Sequence, residues 1–257
     1  MVSQVIDYYA DTLGRSNKAQ AFLKSRGFSD LNALSEFRIG YADRTLGLTL
    51  AELDRHQEEA ARGALQRSGL LKDTGHELFR GSLIFPFVDQ YGVIHGGYGR
   101  RITPKLKAYS AYHVHWLADT VCFFNQQALM DNQQIILCKS PIESLTWWCF
   151  GFKNTVSLMG YASFTPQHLQ ILNQSKVSQV LVAFGSSKEE YDIARKIAND
   201  LVQVKIDTRF VFYPGSRDAN CFALASASPQ KELSDLFAFS LAPFSRINKL
   251  EGGNHGY

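Results

Sequence analysis

Residues 80–115 concentrate the side chains that could hold a polyanion. Five cations, Arg80, Arg100, Arg101, Lys105 and Lys107, fall in this stretch against one acid, Asp89. Tyr98, Tyr109, Tyr112 and Trp116 are interleaved with them, and His95, His113 and His115 lie close by. Cations that follow phosphates, beside rings on which bases stack, make a surface for single-stranded nucleic acid. The same cations on a strand edge also serve simply to keep it from pairing with another chain. His113 and His115 are spaced to share one face of a strand as a metal pair, but no third ligand is near in sequence. They read as surface or base-stacking residues.

A further cation stands apart. Lys139 closes the apolar run "IILC" and is followed four residues later by Glu143. The C-terminal tips of strands in open α/β sheets are where ligands and metals usually sit. At an effective dielectric of about 20, two unit charges about 4 Å apart interact by roughly 4 kcal/mol. An ammonium at that tip repels a divalent ion. Either Lys139 is an exposed side chain at a vacated position, or its ammonium takes over part of a metal's electrostatic role and meets a backbone phosphate.

Composition narrows the classes. The 257 residues are 45% hydrophobic and 20% charged with a net charge of +3, which suits one large or two small globular domains. So mild a charge does not by itself announce a nucleic-acid partner. Cys122, Cys138, Cys149 and Cys221 show no CxxC spacing, so neither a zinc ribbon nor a disulfide framework is expected. The expected setting is the reducing cytoplasm. No secretory leader is recognisable, and the longest apolar runs, such as "LTWWCFGF", are too short to span a bilayer.

The elements that must position these residues follow from periodicity. Residues 4–24 have helical spacing, "SDLNALSEF" reads as a second helix capped by Ser29, and 51–68 as a third ending at Gly69. "GSLIFPFVDQYGVIHGGYGRRI" reads as an antiparallel hairpin turning at "DQYG". From about 133 onward, strands and helices alternate: "QQIILC", "PIESLTWWCFG", "NTVSLMG", "TPQHLQILNQS", "VSQVLVAFG", "SKEEYDIARKIANDLV" and "DTRFVFYPG". That rhythm predicts a small parallel sheet. The expected fold class is α/β: a mixed α+β subdomain over 1–130, a parallel α/β domain over 131–225, and a C-terminal segment over 226–257 with a disordered tail. Trp147 and Trp148, in a helical stretch with Leu145 and Phe150, read as core or interface packing.

Several phrases taken in order resemble the polymerase core of bacterial-type DNA primases: "AFLKSRGFSDLNALSEFRIGYA", "SGLL" and "FRGSLIFPFVDQYGVIHGGYGRR". The second half, 135–221, resembles the toprim domain of that family. The resemblance implies a Mg²⁺ site built from a glutamate at the first strand tip and an Asp-x-Asp pair at a later one, because carboxylates hold the metal that neutralises triphosphate. Laid on this sequence, the glutamate position is Lys139 and the aspartate pair falls on Gly185 and Ser187. Glu143 and Asp218 retain carboxylates. The resemblance also makes Arg80, Arg100, Arg101, Lys105 and Lys107 template-binding candidates, with Lys139 added as a phosphate contact.

With no metal ligands and no catalytic residues expected, the reading is a primase-like nucleic-acid-binding protein that has lost catalysis and needs no cofactor. Its partners would be single-stranded DNA or RNA and a larger replication, mobile-element or defence complex, with no membrane. The family's zinc-binding and helicase-binding domains have no match in these residues, which also favours a complex. Two alternatives remain. One is an active primase using Mg²⁺ on displaced carboxylates such as Glu143, Glu189, Glu190 and Asp218. The other is a protein-interaction scaffold using the double-tryptophan helix.

Overall fold

The computed structural model describes residues 1–103, 111–118 and 120–240. Lys105, Lys107, Tyr109 and the last dozen residues, the tail expected to be disordered, lie outside the described residues. The chain divides into two compact units, Met1–Cys122 and Phe123–Tyr257. No helix among the described residues is long and apolar enough to cross a membrane.

The first unit begins with α1 (Val2–Arg15) and α2 (Asn17–Ser25). The single run expected over 4–24 is broken at Ser16, whose backbone is extended and whose hydroxyl accepts from the Ala19 N–H at 3.3 Å. A short hydroxyl side chain that can bond the next turn favours a cap over a helix interior. The expected helix in "SDLNALSEF" does not form. Instead the Asp30 carboxylate accepts from the N–H groups of Asn32 and Ala33, both at 3.1 Å, and only a 3₁₀ turn at Ser35–Phe37 follows. Next come β1 (Gly40–Tyr41), α3 (Leu46–Ala51) and α4 (Arg55–Arg67), with Asp54 capping α4 through the Gln57 N–H at 3.0 Å.

Strands β2 (Ser82–Val88), β3 (Ile94–Arg101) and β4 (His113–Leu117) complete an antiparallel sheet of order β1-β2-β3-β4. The hairpin turns where expected: Asp89 Oδ1 accepts from the N–H groups of Tyr91 and Val93, both at 2.9 Å, and Oδ2 pairs with His95 Nε2 at 2.8 Å. One sheet face packs on the helices through Val5, Ile6, Tyr9, Leu65, Phe79, Ile84 and Trp116. A Cβ added at Gly99 would stand 2.6 Å from the Phe79 ring, so the ring can cover β3 only where glycine leaves the backbone bare.

The second unit starts at Phe123, ahead of the break expected near 130. Phe123, Ala128 and Leu129 belong to its core, and Phe124 bridges Ser157. After α5 (Ala128–Asp131), the order is β5 (Gln134–Cys138), α6 (Pro141–Cys149), β6 (Thr155–Ser157), α7 (Pro166–Gln174), β7 (Gln179–Ala183), α8 (Lys188–Gln203) and β8 (Asp207–Phe210). Two further helices, α9 (Ala219–Ala225) and α10 (Pro229–Ala238), follow. The four strands are parallel in the order β6-β5-β7-β8.

Strand alternation divides the core in two. Ile135 and Leu137 pack with Leu172 of α7 and Ala194, Ile197 and Leu201 of α8. Ile136 and Cys138 pack with Trp147 of α6, Ala219 and Ala223 of α9 and Leu233 of α10. The segment expected to begin at 226 is therefore built into this unit as far as 240. The chain leaves β5 in one direction along the sheet and β7 in the other. The gap between these two strand tips is thus the topological switch point, where ligands bind in open α/β sheets.

Candidate functional site

The switch-point crevice is already filled by the protein's own charges. Lys139, at the tip of β5, points its ammonium at the Glu190 carboxylate from the first turn of α8 and ion-pairs with it. The expected partner Glu143 is also there, with Oε1 at 3.7 Å from Nζ. Burial works to lower the Lys139 pKa, but the charges of Glu143 and Glu190 outweigh it and hold it above the ordinary value. Burial likewise works to raise Glu190, and the ammonium and Ser187 hold it below the usual carboxylate value.

Glu190 has a second task. Ser187 and Glu190 form a capping box: the Ser187 hydroxyl accepts from the Glu190 N–H at 3.2 Å, and Glu190 Oε2 accepts from the Ser187 N–H at 3.2 Å and hydroxyl at 2.7 Å. Both carboxylate oxygens are thereby engaged. The space this requires comes from Gly185. A Cβ there would overlap the Glu190 carboxylate and the Arg217 carbonyl oxygen. The space a side chain at Gly185 would take is thus filled by the carboxylate of Glu190, five positions on. The Ser-x-x-Glu spacing was legible in the sequence, but its meeting with Lys139 was not.

Glu143 lies almost wholly buried in the first turn of α6. Its Oε1 accepts from the Ser140 hydroxyl at 3.2 Å, while Oε2 has no hydrogen-bond partner. Burial pushes its pKa up to about 8 in spite of the nearby ammonium. A carboxyl whose folded pKa is raised stabilises the fold at low pH, and that contribution is lost as pH rises through the folded value. Between the ordinary 4.5 and about 8, stability should fall by at most about 1.4 kcal/mol per pH unit. Urea unfolding at pH 5 to 8 checks this: Glu143→Gln should flatten the dependence, and an unchanged slope would assign it elsewhere.

The remaining acids are spent on structure. Asp218 caps α9 through the Cys221 N–H at 2.8 Å. Asn220 donates to the Thr146 hydroxyl at 2.9 Å, tying α9 to α6. Glu189 is exposed and hydrogen-bonded to Tyr161. Among the described residues, no group of three or more His, Cys, Asp or Glu side chains is arranged to hold a metal. The Mg²⁺ implied by the resemblance does not fit the residues present. An ammonium stands among the carboxylates, Glu190 is engaged on both oxygens, and Gly185 and Ser187 offer no charge.

The basic stretch is only partly gathered. Arg100 on β3 lies opposite His113 on β4, and Tyr98 opposite His115. Arg100 Nη1 approaches His113 Nε2 at 3.1 Å, and His113 Nδ1 lies 2.6 Å from the Tyr98 hydroxyl. A guanidinium can only donate, so Nε2 is the acceptor and the imidazole is neutral with its proton on Nδ1. Burial, then the Arg100 charge, lowers the His113 pKa in keeping with this. The Arg100 guanidinium also lies 5.1 Å over the Tyr112 ring. The result is a held planar cation flanked by the exposed Tyr112 ring and the His113 imidazole.

Arg101 projects from the opposite face by strand alternation, with its Nε buried and unpartnered. Arg80 is exposed in the segment leading into β2. Two of the rings expected to stack bases are core instead. Tyr98 is buried, and Trp116 is buried with its N–H donating to the Ser68 carbonyl at 2.6 Å. The tryptophan pair splits too: Trp147 is fully buried and Trp148 half-buried.

This is the fold of a primase catalytic core, an antiparallel unit followed by a toprim-like parallel sheet. Residues 8–112 match the family model of the DNA primase catalytic core, N-terminal domain, and residues 136–223 match the Toprim-like model. The first unit is thus similar to the former family and the second to the latter. A DNA primase of Campylobacter jejuni is 22% identical over 220 residues, covering 82% of this chain and 36% of that protein. The chain thus spans little more than a third of that relative's length. The structure of an Aquifex aeolicus primase, comprising its zinc-binding and RNA polymerase domains, superposes with a TM-score of 0.81 at 20% identity, covering 98% of this chain and 63% of that one. A DnaG primase catalytic domain bound to ssDNA superposes with a TM-score of 0.76 at 17% identity, covering 93% of this chain and 80% of that one.

Proposed function

We propose that the chain is a primase-like nucleic-acid-binding protein whose toprim-type site does not carry out metal-dependent nucleotidyl transfer. It would act as an accessory subunit of a DNA replication, mobile-element or defence complex in the cytoplasm. The observation that carries the binding half is the Arg100 guanidinium held between His113 and the Tyr112 ring, a preorganised cation beside a stacking surface. The ssDNA-bound DnaG neighbour of the same fold supports it. Arg80, Lys105 and Lys107 would extend the contact to phosphates, while Arg101, on the opposite face of β3, would lie outside it. The loss of catalysis is supported by the Lys139–Glu190 ion pair in the crevice. With its ammonium so engaged, Lys139 would act on nucleic acid through the site's charge balance, in place of the direct phosphate contact expected from sequence.

A second reading, an active primase, is favoured by the naming of the similar proteins as DNA primases and by the convergence of Glu143, Glu190 and Asp218 on Lys139. Fluorescence anisotropy of labelled single-stranded DNA and RNA across a salt series, with Mg²⁺ and with EDTA, separates the readings. Salt-steep binding that ignores EDTA supports the proposal. Collapse of binding in EDTA favours the enzyme, and absence of binding favours a protein scaffold. Arg100→Ala should weaken binding about tenfold and reduce the salt slope by about 1. An unchanged slope would remove Arg100 from the interface.

A further inference from the structure

We infer that the switch-point crevice is a cation site whose cation is covalently attached: the Lys139 ammonium occupies it permanently, and its removal opens a site for a free primary ammonium. This goes beyond the failure of Mg²⁺ to fit, because it assigns the ammonium the task of holding two strand tips together. Lys139 stands at the end of β5 and Glu190 on the helix that follows β7, and their ion pair spans the gap between those strands.

Three observations converge on it. First, the ammonium is enclosed: the Lys139 side chain is 18% exposed, Glu190 11% and Glu143 5%. Second, Glu143 Oε2 is buried, lacks a partner, and belongs to the same carboxylate whose other oxygen faces the ammonium. A buried oxygen with no donor costs free energy unless a cation or proton meets it. Third, Gly185 clears the volume into which Glu190 reaches, so the carboxylate is delivered to Lys139 by a backbone that tolerates no side chain there. The charge of Asp218 acts on both Lys139 and Glu143, so a third acid contributes to the same field.

Without the ammonium, the Glu190 carboxylate would stand beside the buried Glu143 carboxyl with no counter-charge. Cutting the lysine stem therefore leaves a space shaped for what was removed: a short alkyl chain ending in ammonium.

The test is chemical rescue in the full chain. Lys139→Ala should melt at a lower temperature than the parent, and n-propylammonium should raise its melting temperature saturably by several degrees. Propylammonium should not move the parent beyond the salt control. Mn²⁺ bound to the parent, read by electron paramagnetic resonance, should be non-stoichiometric. If Lys139→Ala does not fold, Lys139→Met keeps the stem volume; it should be destabilised without rescue by propylammonium. Adding Glu190→Gln to Lys139→Ala should abolish the propylammonium effect. Stoichiometric Mn²⁺ on the parent, or equal responses of parent and Lys139→Ala, would overturn the inference. Neither outcome depends on whether nucleic acid binds, so this inference and the proposed function can fail separately.

Discussion

Lys139→Met is expected to lower the unfolding free energy by about 3 kcal/mol, within the range found when one partner of a buried ion pair is removed. The loss comes less from the Coulombic attraction itself than from what remains. Glu190 keeps its Ser187 donors but loses the counter-charge that offsets its burial, and Glu143 loses the cation that faces its Oε1. Glu143 already favours its neutral form, which limits the damage. The informative comparison is the double variant Lys139→Met, Glu190→Gln. Glutamine at this helix position still closes a capping box and needs no cation. The double variant should therefore recover most of the loss, with a coupling of about 2 kcal/mol in a double-mutant cycle read by urea unfolding. Strict additivity would show that the pair contributes nothing as a pair.

The second large effect belongs to Trp147. Its ring is fully buried against Tyr213, Phe152, Ala219 and Leu233, edge-on to Phe152 at a centroid distance of 4.9 Å. Its indole N–H donates to the Tyr213 hydroxyl at 3.1 Å. Trp147→Ala should cost about 4 kcal/mol, the transfer and cavity terms of a large buried aromatic, and it also takes the indole donor from a buried hydroxyl. Trp148→Ala, at a half-buried position under the Lys153 ammonium, should cost under about 1 kcal/mol. Guanidinium unfolding of both variants checks the contrast. Equal losses would mean that the helix is buried on both sides, which the scaffold alternative would then have to accommodate. If a protein partner uses this helix, it meets Trp148 and not Trp147.

What the sequence determined by itself was local and periodic. The alternation of apolar runs with capped helices from 133 to 210 specified a parallel sheet, because buried strands and amphipathic helices have different periods that composition cannot hide. Thr165-Pro166 at the start of α7 and the hairpin turn at Asp89 were equally legible, since each is a bond between residues close in the chain. The breaks at Ser16, Asp30 and Asp54 were written there too, in side chains that compete with the helix for backbone N–H groups. Apolar spacing alone runs straight across them.

The tertiary structure alone decided which charges meet. Lys139 and Glu190 are fifty-one positions apart, and only the parallel pairing of β5 with β7 brings their strand tips together. The pairing of β3 with β4 sends Arg100 to His113 and Arg101 to the other face, a distinction invisible in the dipeptide. Burial made the same kind of choice between Trp147 and Trp148 and withdrew Tyr98 and Trp116 from the stacking surface. In each case the sequence supplied the chemical group. Which neighbour it meets depends on contacts between distant segments, and those are fixed only when strands pair and helices pack.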